Sequence, residues 1–99
     1  MSLKIQDLKE HSFYHVDEDK REAIFIFKNQ SDKDRVRCHN MIVNFNGYPR
    51  YEYIKASELY VTGRNLREAT EEEIDWLKRC IVSGKVVKRD EIVQNFPIY

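Results

Sequence analysis

Tyr48, Arg50, Tyr51, Tyr53, Tyr60, Arg64, Asn65 and Arg67 interleave aromatic and cationic side chains within one short stretch. Aromatic rings beside guanidiniums stack on bases and nucleotides and hold anionic protein surfaces. Tyrosine and arginine are also enriched where proteins meet one another. The ligand- or partner-binding residues expected from this pattern are Tyr48, Arg50, Tyr51, Tyr53, Arg64, Asn65 and Arg67. The plainer alternative treats the tyrosines as cross-strand neighbours on a half-exposed sheet and the arginines as solvated.

Other chemistry is sparse. His11 and His15 stand four apart, a ligand spacing on a helix. Their segment reads as a strand, where four residues span roughly 13 Å, too far for one zinc ion. Cys38 and His39 are adjacent and face opposite sides of a strand, which argues against a thiol–imidazole nucleophile. Asp32 and Asp34 lack the third acid that a calcium loop supplies. Three glycines leave no phosphate-cradling loop. The sequence therefore predicts no catalytic residue, no metal and no cofactor. An enzyme would have to draw on His15 or His39 with a carboxylate in a site shared between subunits, and no spacing supports that.

These residues sit in 99 residues with 17 basic and 17 acidic side chains, one domain's worth. Zero net charge argues against a bulk electrostatic nucleic-acid binder. The charge is nonetheless uneven: residues 35–67 carry +4, and the segments on either side carry −2 each. The two cysteines, an N-terminus without an apolar leader core and the lack of a ~20-residue apolar run set the expectation of a cytoplasmic protein with reduced thiols and no membrane contact.

The elements that must position the candidate residues follow from periodicity. Ala69 to Gly84 predicts an amphipathic helix. Thr70 is its N-cap and Glu73 closes a capping box. Gly84 is the left-handed stop, and Ile74, Leu77 and Ile81 form the buried stripe, which Trp76 and Cys80 widen. Glu71, Glu72 and Glu73 read as a solvated turn that complements the helix dipole. Strands are predicted over residues 11–16, 22–28, 35–45, 50–54 and 57–62, with a further one over 85–88. Residues 22–28 are apolar on both faces, which places that strand centrally with the helix on one side. The first hairpin loop is expected to hold roughly five residues. A slip in alternation at His39-Asn40 predicts a bulge, and Asn46-Gly47 a hairpin turn. Arg64 to Glu68 leads into the helix. The fold class is α+β, an antiparallel meander of four to six strands, curled toward a small open barrel and packed by one C-terminal helix. Ile24, Phe25, Ile26, Phe27, Ile42, Leu59, Ile74, Leu77 and Ile81 are the expected core.

The run Arg67-Glu68-Ala69-Thr70-Glu71-Glu72-Glu73-Ile74, followed by Trp76-Leu77 and Gly84-Lys85, resembles the tail of small uncharacterised proteins of bacterial mobile elements and phages. Those tails read as a strand, then R-x-A-T-x-E-E, then an amphipathic helix ending in glycine. The resemblance implies a short accessory or inhibitor protein that sequesters a ligand or blocks another protein, and it brings no site residues. The function expected is thus a small non-enzymatic binding module acting through self-association, as a homo-oligomer, or through a partner protein. The alternative is capture of a nucleotide, or less favoured a DNA or RNA, through the Tyr/Arg surface.

Overall fold

The computed structural model describes residues 2–19, 21–44 and 51–89. Strand β1 (Phe13–Glu18) pairs antiparallel with β2 (Arg21–Gln30), β2 with β3 (Arg35–Asn44), and β3 with β4 (Glu52–Tyr60). The short β5 (Asn65–Glu68) returns to the far side of β1, so the order across the sheet is β4-β3-β2-β1-β5. Helix α1 (Glu71–Ser83) follows. β2 is central, as its two apolar faces require.

Local chemistry explains the turns. The β1–β2 connection is two residues rather than five, because Glu18 pairs with Arg21 and Asp19 takes a left-handed φ of 55°. Aspartate tolerates that conformation better than most residues. In the β2–β3 loop, Asp32 Oδ1 accepts from the N–H groups of Asp34 and Arg35, both at 2.9 Å, and its other oxygen from the Arg35 guanidinium at 2.8 Å. The Asp-x-Asp pair thus builds an Asx turn. The bulge is present: His39 and Asn40 together oppose Ile26, as the register shifts between Phe25↔Met41 and Phe27↔Cys38. The expected Asn46-Gly47 turn lies outside the described residues. The two strands expected over 50–54 and 57–62 are replaced by the single β4 (Glu52–Tyr60), because Ala56 at φ 49° bends the chain without ending the ladder.

The sheet is open but strongly coiled. Flat, five strands would set β4 and β5 about 19 Å apart at ~4.8 Å per spacing. Only Val61–Arg64 joins these opposite edges, and the Arg64 N–H closes that link into a tight turn on the Val61 carbonyl at 3.2 Å. The edges can meet this link only if the sheet wraps round. Its concave side encloses Tyr14, Val16, Phe25, Val36, Met41, Val43 and Leu66. The segment ahead of β1, with a 3₁₀ turn at Ile5–Asp7, packs Leu3, Ile5 and Leu8 onto that side.

The other face carries α1. Thr70 Oγ1 accepts from the Glu73 N–H at 3.2 Å, Glu73 Oε1 accepts from the Thr70 N–H at 2.8 Å, and Gly84 adopts φ 72°, completing both expected caps. The buried stripe is rotated within the expected one, toward Trp76 and Cys80. Trp76, Leu77 and Cys80 meet Ile24 and Ile42, while Ile74 and Ile81 are half-buried. Trp76 decides this rotation, since its ring buries more area than an isoleucine. The core is therefore two clusters, one on each side of the sheet, with Phe25 and Phe27 in one and Ile24 and Ile26 in the other. Residues 85–88 form no strand. Val87 folds back so that its carbonyl accepts the Trp76 indole N–H at 2.6 Å. No described helix is long and apolar enough to cross a membrane.

Candidate functional site

The candidate binding residues that the structure describes do not gather on one surface. Tyr48 and Arg50 lie outside the described residues. Tyr51 and Tyr53 pack against the cluster beneath α1. The Tyr51 hydroxyl donates to Glu22, and its ring meets Trp76 edge-on at 4.9 Å. The Tyr53 hydroxyl donates to Asn40 Oδ1 at 2.6 Å. Arg64 lies over the Tyr60 ring at 5.4 Å and within 3.7 Å of Glu18. Asn65 Nδ2 donates to Asp17 Oδ1 at 3.0 Å. Arg67 donates from both terminal nitrogens to the Glu73 carboxylate at 2.9 Å each. Each of the described side chains expected to offer itself to a ligand is held by a partner in the chain.

Two of them, Tyr51 and Arg67, converge on the acids around His15, a histidine that the sequence offers with a carboxylate only in a site shared between subunits. β1 places His15, 3 % exposed, between acids on β1, β2 and α1. His15 Nε2 lies 2.8 Å from Glu22 Oε2 and 3.7 Å from Glu73 Oε2, and Nδ1 lies 3.4 Å from Asp17 Oδ2. Glu73, read from sequence as part of a solvated turn, is itself 3 % exposed. Arg89 binds Glu72 with two nitrogens at 2.7 Å, approaches Glu73 within 3.7 Å and stacks over Trp76 at 4.9 Å. The network thus runs from the sheet through His15 into the first turn of the helix.

The electrostatics follow from these contacts. The His15 hydrogen bond, aided by Tyr51 and Arg89 and opposed by burial, brings the Glu22 carboxyl down to about 2. Burial pushes Glu73 up, but Arg67, the Thr70 N–H and His15 outweigh it and hold the carboxyl below its ordinary value. Glu73 and Glu72 raise Arg67 and Arg89 respectively. A histidine among carboxylates is a general-base set in principle. Here the ring is enclosed and flanked by the chain's own acids, so the arrangement fastens the helix to the sheet. The signal available in sequence was the alternation of β1, which puts His15 in register with Ile24 on the helix side.

Two features do face outward. A cleft of about 310 Å³ opens on the concave side, floored by Val16, Ala23, Met41, Val43 and Leu59 and rimmed by Asp17, Arg21, Glu58 and Arg64. Beside it runs β4. Among the described residues β4 pairs only with β3, and its outer edge along Glu52–Tyr60 has no ladder partner among them. The opposite edge is partly satisfied, because the Leu3 N–H donates to the Leu66 carbonyl at 2.8 Å.

Comparison with known proteins adds one short likeness. No family model matches the chain, and no solved structure matches it. Over 38 residues it is 45 % identical to a Synechocystis sp. protein described as an uncharacterized methyltransferase. That stretch is 38 % of this chain, and the chain spans only 7 % of the length of that relative.

Proposed function

We propose that the protein is a small non-enzymatic binding module that works by pairing the outer edge of β4 with a second β-strand, in the first place β4 of another copy. The observation that carries this reading is the edge of β4 beside the apolar cleft, which has no strand partner among the described residues. Strand addition to such an edge takes its affinity from main-chain hydrogen bonds and its specificity from side chains. An edge of this length is otherwise a liability that proteins cover.

Side-chain complementarity favours a second copy. In antiparallel pairing about a two-fold axis between Ala56 and Ser57, Lys55 stands opposite Glu58, Ile54 opposite Leu59, and Tyr53 opposite Tyr60. Opposite charges and apolar pairs placed directly across a ladder are stabilising, whereas like charges there are not. The left-handed bend at Ala56 recurs in the symmetry mate, so both strands follow the same curve. Together with the resemblance of residues 67–85 to mobile-element and phage proteins, this supports an accessory or inhibitor protein acting as a homo-oligomer in the cytoplasm.

Charge exchange tests the reading. The wild-type chain of 12.0 kDa is expected to sediment at twice its mass. Lys55→Glu and Glu58→Lys should each sediment as monomers, and the double variant should recover the dimer. Both side chains are exposed, so folding is spared. A wild type that stays monomeric at high concentration, or a double variant that fails to recover, overturns self-pairing through β4.

A further inference from the structure

We propose that Glu10, His11 and His39 form a binding site for a divalent first-row transition cation of the zinc, cobalt or nickel kind. This goes beyond the edge-pairing reading and does not depend on it. The sequence reading paired His11 with His15 and expected no metal. The fold instead sends His15 under the helix and brings His11 to His39.

Two backbone features make that meeting. The chain turns at Lys9–Ser12, with the Ser12 N–H on the Lys9 carbonyl at 3.2 Å and His11 at φ 71°. The turn is locked to β2, since the His11 N–H donates to the Phe27 carbonyl at 2.9 Å and the Phe27 N–H to the Ser12 carbonyl at 3.0 Å. On the next strand, the β3 bulge re-aims His39 out of the regular alternation, a common role of bulges. The two imidazoles then stack at 5.0 Å between centroids and 9° between planes.

The distances point to ligation rather than hydrogen bonding. Glu10 Oε2 lies 3.6 Å from His11 Nε2 and 3.6 Å from His39 Nε2, and all three atoms fall within 4.8 Å of one another. At 3.6 Å neither contact is a hydrogen bond. His39 Nε2 is moreover a buried atom without a hydrogen-bond partner. Ligands about 2.0–2.1 Å from a tetrahedral ion lie about 3.3–3.5 Å from each other, within a few tenths of the 3.6 Å that separates Glu10 from each histidine. Parallel rings do not aim both lone pairs at one point, so binding turns the His11 ring, which is free to move with 74 % of its side chain exposed. Three protein ligands leave a coordination position for water. Two imidazoles and one carboxylate suit the borderline metals and not magnesium or calcium, which prefer oxygen. The acids around His15 make no comparable site, because Arg67 already pairs with Glu73, Arg89 lies within 3.8 Å of Glu22, and Asp17 accepts from Asn65.

The test is calorimetric titration of the untagged full-length chain with zinc chloride, repeated with nickel chloride and magnesium chloride. One zinc or nickel ion per chain is expected, and no magnesium. Outer-shell partners alone govern affinity by roughly 10–100-fold, so losing a ligand should weaken binding by roughly 10-fold or more. His39→Ala removes one ligand. His11→Asn removes another and keeps a residue type that tolerates the left-handed backbone. Circular dichroism confirms that each variant is folded. Loss of binding in both variants, with His15→Ala still binding, supports the site. Absence of zinc and nickel binding, or binding unchanged in His39→Ala and His11→Asn, overturns it.

Discussion

Replacing Glu73 by alanine probes the network at its most connected member. The substitution removes the two hydrogen bonds from Arg67, the Glu73 half of the capping box and the carboxylate near His15 and Arg89. Breaking a buried ion pair by deleting one partner costs about 3–5 kcal/mol when the other charge stays buried. The Arg67 side chain is 45 % exposed, so water recovers part of that penalty. Loss of the Thr70 N–H acceptor adds about 1 kcal/mol. The expected net destabilisation is therefore about 2–4 kcal/mol out of a total of about 5–15. Thr70→Ala, which removes only the other half of the box, should cost about 1 kcal/mol. Glu73→Gln keeps an acceptor for the Thr70 N–H and should fall between the two. Equilibrium urea unfolding followed by Trp76 fluorescence measures all three. If Glu73→Ala costs no more than Thr70→Ala, Glu73 is only a cap, and the argument that the network fastens the helix fails.

Three further outcomes are expected. Leu77, fully buried between the helix and the sheet, should cost about 2–5 kcal/mol when replaced by alanine, and a loss well under 1 kcal/mol refutes the docking described. The Glu22 carboxyl, lowered by His15 from 4.5 to about 2, contributes stability that is present above pH 4.5 and is lost as pH falls toward 2. Full conversion gives about 3 kcal/mol, which solvent at the 23 %-exposed side chain reduces to ~1–2 kcal/mol. Acid titration should show that step in the wild type and not in Glu22→Gln, and identical profiles sink the assignment. Burial pushes the Cys38 thiol up to about 12 and also raises that of Cys80. A thiol reagent at neutral pH should therefore label neither until urea unfolds the chain, and rapid labelling of the native protein contradicts this packing.

What the sequence made legible were features set by short-range physics. Thr70, Glu73 and Gly84 mark the helix ends because caps act within one turn. The alternation of residues 22–28 locates the central strand because both its faces are covered. The slip at His39-Asn40 marks the bulge because pleating has a strict period of two. What escaped was set by contacts between distant segments. Whether Trp76 or Ile74 faces the sheet depends on Ile24 and Ile42, far away in the chain. Arg64, Asn65 and Arg67 looked available because their partners Glu18, Asp17 and Glu73 come from other elements. His15 and His11 were judged against each other by spacing, while the fold gave each a different neighbour.

The sheet separates the apolar residues into two compartments that share no side chain, and this has a kinetic consequence. The concave compartment is closed by strands and by the N-terminal segment, and α1 takes no part in it. The helix layer rests on five buried apolar residues and on the ionic fastening at its first turn. The molecule is thus built from two cooperative units of unequal strength. Amides of α1 should exchange with solvent through a partial opening that leaves those of β2 and β3 protected. Acid well below pH 4.5, by protonating Glu22 and Glu73, widens that gap between the two units before the coiled sheet itself gives way.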